Sequence, residues 1–201
     1  MAPPPPSDRG PLGIEDYGLI GDMHTCALVG TDGSIDFCCW PTFESPSLFA
    51  RVLDTKSGGG GHWSIQPTVT DAVVKQSYIP STNILQTKWI NQEGVILLRD
   101  FFAIRKPGHD TPTLIRRVEC IRGSMGIEIE VAPAPNYAQR SGGRHTVTLD
   151  GPELIIPSTA QLGGATSPGL CQSIKWTADR SNESSTLNEG LDLGKRAPEV
   201  S

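Results

Sequence analysis

The sequence predicts an all-β protein, a sandwich of antiparallel strands with disordered ends. Three observations carry that expectation. Short apolar runs alternate with period two, most clearly in Ile127-Glu128-Ile129-Glu130-Val131, the mark of a strand with one wet face. Asp-Gly pairs, Asp32-Gly33 and Asp150-Gly151, separate such runs, and that dipeptide favours a tight hairpin turn. Twenty-two glycines and 17 prolines in 201 residues suit many short strands joined by turns rather than long helices.

Residues 1–11 are a Pro-rich leader, expected to be extended or disordered: a solvated tail, or a short ligand for a proline-recognition domain. A sandwich is expected over residues 12–165. Thr25 to Gly30 is a short apolar strand, and Ser34 to Trp40 answers it across the Asp32-Gly33 turn until Pro41 ends the pair. Ser45 to Leu53 is the one stretch that reads as a helix, with Ser45 as N-cap and Pro46 at the first helical position. His62 to Pro67 alternates cleanly, and Val73 to Ile79 less so. Asn83 to Asn91 and Val95 to Phe102 flank a turn at Gln92-Glu93-Gly94 and read as a second hairpin. Thr113 to Ile121 and Met125 to Ala132 read as a third, Thr146 to Leu149 and Leu154 to Ile156 as a fourth. Residues 166–201 lose the pattern, and the polar stretch Ala178 to Ser201 is expected to be disordered.

Composition narrows the function. A net charge of −5 and a pI near 5.3 leave no basic stripe to neutralise phosphates, so no nucleic-acid partner is expected. No run of 18 apolar residues and no signal peptide is present, which points to a cytoplasmic protein without a membrane partner. The five cysteines, Cys26, Cys38, Cys39, Cys120 and Cys171, are then expected as free thiols. No metal or other cofactor is expected: the Cys26, Cys38, Cys39 spacing lacks the paired knuckle of a zinc site, and adjacent Cys38 and Cys39 point to opposite faces of a strand. Gly58-Gly59-Gly60-Gly61 lacks the Lys-Ser/Thr of a phosphate loop and reads as a flexible connection. Arg116, Arg117 and Arg122 read as solvent or interface charges, with Arg116 and Arg117 on opposite faces of their strand.

One block of residues is more specific. Tyr17-Gly18-Leu19-Ile20-Gly21-Asp22, His24-Thr25, Ala27 to Gly30, Asp32 to Asp36, Cys39-Trp40-Pro41, Phe43 to Pro46 and Phe49 resemble the N-terminal, trehalase-like domain of glycoside hydrolase family 15 proteins, the glucoamylase and trehalase relatives. Gly61-His62-Trp63, Tyr78 to Thr87, Gly94-Val95, Asp100-Phe101, Arg116 to Glu119 and Arg122-Gly123 continue the resemblance, which covers residues 14–140 and more loosely reaches 160. It implies a supersandwich-like domain packed on a separate (α/α)6 barrel that carries the catalytic carboxylates. Glycoside hydrolysis needs two carboxyl groups across the scissile bond. The residues after 160 are too few and too polar for a twelve-helix barrel, so the catalytic domain is absent from this sequence and no catalytic residue is carried over. The sandwich itself reads as truncated near residue 165: a fragment, a truncated gene model or an alternative product with a foreign tail. Truncation would leave a strand edge open to self-association. The resemblance implies a catalytic barrel as partner and α-glucosides as the substrate class of intact relatives.

Two candidate sites remain. Asp22, His24, Asp32, Asp36 and Glu44 crowd the first hairpin; His24 with Asp22 and Asp36 could run acid/base chemistry of their own, or the acids could satisfy turn amides while His24 packs locally. Trp40, Phe43 and Glu44 form an aromatic and acidic loop, the residue types that meet the C–H faces and hydroxyls of a sugar. That loop is expected to contact sugar or the barrel interface, with Trp40 and Phe43 as core anchors the plainer alternative.

Overall fold

The structure, a computed structural model, describes residues 12–53, 60–105, 111–134 and 136–137, together with the backbone of three further strands. The leader at 1–11, Gly58, Gly59 and the stretch 178–201 lie outside the described residues. Among those described, the helical content is a 3-10 turn, Ile14–Asp16, and no helix is long and apolar enough to cross a membrane. The chain divides into two compact units, one holding residues 12–137 and the other 148–175.

In the first unit, strands β1 (Tyr17–Gly21), β2 (Cys26–Gly30), β3 (Ser34–Cys39), β4 (Ser47–Ala50) and β5 (His62–Pro67) begin one antiparallel sheet. Strands β6 (Val73–Tyr78), β7 (Leu85–Ile90), β8 (Gly94–Phe102) and β9 (Leu114–Gly123) form a four-stranded antiparallel meander. Strand β10 (Ile127–Ala132) returns to the first sheet, whose order is β1-β2-β3-β5-β10. β4 and β5 share the second edge of β3, β5 at Ser34-Ile35 and β4 at Phe37 to Cys39. The two sheets pack face to face. Ile20, Ala27, Val29, Ile35, Cys38, Leu48 and Phe49 from the first sheet meet Leu85 and Phe102 from the second. A second cluster joins Ile65 to Trp89, Ile96 and Leu98. Two faces hide each other's apolar side chains, as the alternation requires. In the second unit, β11 (Thr148–Asp150), β12 (Glu153–Ile156) and β13 (Gln172–Lys175) form an antiparallel sheet.

Turn chemistry fixes the first hairpin. Gly33 has φ +80°, and a Cβ there would sit 2.2 Å from the Ile65 carbonyl oxygen, so only glycine fits where β3 meets β5. A β-bulge follows: Val29 pairs with Ile35 and Leu28 with Phe37, leaving Asp36 as the extra residue.

Four expectations change. The helix over Ser45 to Leu53 is instead a turn and strand β4. Ser45 Oγ caps back onto the Thr42 amide (3.3 Å), and Ser47 to Ala50 take the open edge of β3. A nine-residue helix has little stability of its own, so the ladder and full burial of all four strand residues win. The third hairpin does not form: β9 pairs with β8 and β10 with β5, so the tight 124–126 connection crosses between sheets. Tyr17 to Gly21, not singled out as a strand, is β1, and β13 lies in the stretch read as unpatterned. Arg116 is not a surface charge but is buried in the sandwich.

Candidate functional site

The β1–β2 turn is built on Asp22. Its Oδ1 accepts the His24 and Thr25 amides (3.0 and 2.9 Å), the local bond that suits Asp to a turn. Its Oδ2 accepts Arg105 Nε at 2.5 Å. Arg105 lies just past β8 and also donates from Nη2 to the Pro41 carbonyl (3.0 Å), while the Phe43 amide donates to the His24 carbonyl (2.8 Å). One guanidinium and one main-chain bond thus stitch three loops at one end of the sandwich. Burial works to raise the Asp22 carboxyl, but Arg105 and the two turn amides outweigh it and hold it below the ordinary carboxylate value.

Three apolar side chains stand on this stitched end. Met23 is 93% exposed, Ile104 95% and Phe43 53%. Glu44 and His24 are exposed beside them. Trp40 is different: it packs on the core, its ring 6.4 Å from Phe102 at a tilt of 32°. Of the expected loop trio, Trp40 is therefore an anchor while Phe43 and Glu44 face outward. The sequence reading missed Met23 and Ile104. The available signal was an apolar residue beside a charged one in a turn, which periodicity does not register.

The acid/base trio is not assembled in one place. His24 Nδ1 meets the Asp22 main-chain carbonyl (3.1 Å), not its carboxylate. Asp36 sits further along the β2–β3 hairpin toward its turn, three to four residues along the strand, roughly 12 Å by strand rise. There the bulge turns its carboxylate into a buried network. Tyr17 Oη donates to Oδ2 (2.7 Å); Ser34 Oγ (2.6 Å) and Arg51 Nη2 (2.7 Å) donate to Oδ1. Arg51 follows β4 directly, so the strand that replaced the expected helix delivers the counter-charge. Nearby, His62 Nε2 lies 3.2 Å from Glu130 Oε2, and the buried Ser64 Oγ has no hydrogen-bond partner among the described residues. The His62 ring is the main cause that holds the Glu130 carboxyl low, against burial.

A second buried pair ties the sheets together. Arg116 donates from Nε to Asp100 Oδ1 (2.8 Å), from Nη1 to the Trp63 carbonyl (2.6 Å) and from Nη2 to the Gly33 carbonyl (2.5 Å). Its guanidinium also lies 5.1 Å from the Trp63 ring centroid. Burial pushes the Asp100 carboxyl up, and Arg116 pulls it back.

The Tyr78 to Thr87 stretch acts on the main chain of the first sheet. Tyr78 Oη donates to the Leu19 carbonyl and accepts its amide (both 2.8 Å), and Asn83 Nδ2 donates to the Gly21 carbonyl (2.9 Å). Gln76 Nε2 donates to the Gly30 carbonyl (3.1 Å). Cys26, Cys38, Cys39 and Cys120 are free, and burial raises the first three thiols. Cys171 lies outside the described residues. Among those described, no three His, Cys, Asp or Glu residues could hold a metal ion together.

Comparison with known proteins places this architecture. The sequence profile of the family described as "Trehalase-like, N-terminal" matches residues 8–189. The chain belongs to the trehalase-like N-terminal domain family. Among curated relatives, the trehalase of Mycolicibacterium smegmatis is 30% identical over 150 residues, covering 66% of this chain and 22% of that protein. The trehalase of Thermoplasma volcanium is 36% identical over 129 residues, 63% of this chain and 20% of that one. The trehalase of Thermoplasma acidophilum reaches 41% over 115 residues, 55% and 19%. The chain thus spans about a fifth of the length of the curated relatives it matches. No solved structure matches it. For this trehalase-like domain the stitched loop end is the candidate site.

Proposed function

We propose that the chain is the non-catalytic sandwich domain of a trehalase-type glycosidase of glycoside hydrolase family 15. It packs on and shapes a catalytic (α/α)6 barrel, and the intact protein hydrolyses α-glucosidic bonds. The observation that carries this reading is the stitched loop end. Met23, Phe43 and Ile104 expose apolar surface on loops that Arg105 holds in place. Exposed apolar clusters mark interaction sites, and loops already ordered lose little entropy on docking. Glu44 adds a polar rim. Relatives named trehalase that are about five times longer than the matched segment support a partner domain in the same protein.

The test uses the M. smegmatis trehalase produced without the segment that matches this chain. Titrating the chain into it should give saturable binding by calorimetry and faster trehalose hydrolysis. Met23→Lys or Ile104→Lys should weaken binding by about tenfold or more, the scale of a lost central contact. No binding of the wild-type chain would sink the reading. A second reading has its own observation: Phe43 and Glu44 stand exposed side by side, an aromatic face next to a carboxylate. Binding of trehalose or maltose by the chain alone, lost in Phe43→Ala, would make it a free-standing carbohydrate-binding module.

A further inference from the structure

Strands β2 and β3 carry two cysteines face to face. Ala27 pairs with Cys38, so the next step of the same ladder sets Cys26 opposite Cys39. The bulge in this pair lies on the other side, between Leu28 and Val29, and leaves that step intact. Thr25 Oγ1 donates to the Cys39 carbonyl at 2.5 Å, which holds the two strands together at this end. Ala27 and Cys38 are fully buried in the core, so Cys26 and Cys39 both turn to the outer face of the first sheet. Cys38 adjoins Cys39 in sequence but points the other way.

We infer that Cys26 and Cys39 form a thiol–disulfide exchange site, which closes a cross-strand bond on reaction with a small disulfide such as glutathione disulfide. The backbone needs no rearrangement. Opposed residues of an antiparallel pair have Cα atoms about 4.5–5.5 Å apart, inside the roughly 4.4–6.8 Å that a disulfide spans. Access to the two sulfurs is unequal. Cys26 is half-buried, and its partner on β1, Gly21, has no side chain to cover it. Cys39 is 6% exposed, and the Tyr137 hydroxyl lies against its sulfur. Burial and then the Cys39 sulfur raise the Cys26 thiol, as a facing sulfur does.

Cys26 is therefore the sulfur that meets the reagent. Its thiolate attacks one sulfur of glutathione disulfide, and one glutathione leaves as its thiolate. The Cys39 thiolate then attacks the Cys26 sulfur of the mixed disulfide, and the second glutathione leaves. The protons of the two protein thiols end on the two departing glutathiones. The protein gives up two electrons and two protons, and the reagent takes them. The new bond joins the base of the turn that carries Met23 to the base of the loop that carries Phe43.

The test treats the folded full chain with glutathione disulfide at about pH 8.5, where raised thiols ionise more, and then blocks the remaining thiols with N-ethylmaleimide. Cleavage before aspartates leaves Cys26 on one peptide and Cys38 with Cys39 on another. Mass spectrometry should find these two peptides linked within one chain, and fragmentation should assign the second sulfur to Cys39. That assignment is made on the wild type, so it stands even where a variant fails to fold. The link should vanish in Cys26→Ser and in Cys39→Ser and survive in Cys38→Ala. Closing a loop of this length should raise Tm by about 5 °C or more over the reduced chain. A link through Cys38, bound glutathione with no link, a link between two chains, or one that forms only in urea would overturn the inference. So would a linked chain that melts below the reduced one.

Discussion

Arg116 is the residue whose loss the fold should feel most. Its side chain is 1% exposed and that of Asp100 0%, and the pair links the second sheet to two carbonyls of the first. Replacing Arg116 with Met keeps much of the volume but leaves the Asp100 carboxylate buried without its counter-charge. Breaking one partner of a buried ion pair costs about 3–5 kcal/mol. The Trp63 and Gly33 carbonyls also lose their donor, at about 1–3 kcal/mol for each that water cannot reach. A total of at least about 4 kcal/mol is a large part of the roughly 5–15 kcal/mol that holds a domain folded. At about 2–4 °C per kcal/mol for a chain of this size, Tm should fall by roughly 10 °C or more. The decisive assay is a double-mutant cycle by urea unfolding, with Arg116→Met, Asp100→Leu and both together. The pair of substitutions should recover about 3 kcal/mol relative to Arg116→Met alone, because an apolar pair replaces a buried ionic one at little cost. A cost below about 1 kcal/mol for Arg116→Met, or no recovery in the double variant, would refute the reasoning.

Two further outcomes follow from the geometry. Gly33→Ala should destabilise by at least about 2 kcal/mol, since it places a side chain at positive φ and drives a Cβ into the Ile65 carbonyl; thermal unfolding measures it. Asp22 is held below its unfolded value of about 3.9, so its contribution is present above that pH and is lost as pH falls through the folded value. Stability measured by urea from about pH 2 to 7 should therefore drop on the acid side, and Asp22→Asn should lower the neutral plateau and flatten that limb; an unchanged acid limb would count against the Arg105 stitch.

Much of the strand set was legible because alternation and turn chemistry are local. The Asp32-Gly33 turn, the 62–67 strand and the hairpin of β7 and β8 follow from period two and from glycine's access to positive φ. β4 was not legible, because four consecutive buried residues carry no period and the Ser-Pro start matches a helix cap. Asp22 and Trp40 were legible as residues of interest, but not their neighbours. Arg105 reaches Asp22 across 83 positions of sequence, and no local pattern announces such a bond.

The sequence by itself determined the class of fold, most strand positions and the family block. These depend on each residue's own conformational preference and on apolar spacing along the chain. The tertiary structure decided which strands pair, which of Arg116 and Arg117 turns inward, and that Asp36 is buried on Arg51 while Met23, Phe43 and Ile104 stand on one stitched end. Those choices rest on contacts between residues distant in the chain. Their energies exist only once two sheets have closed on one core.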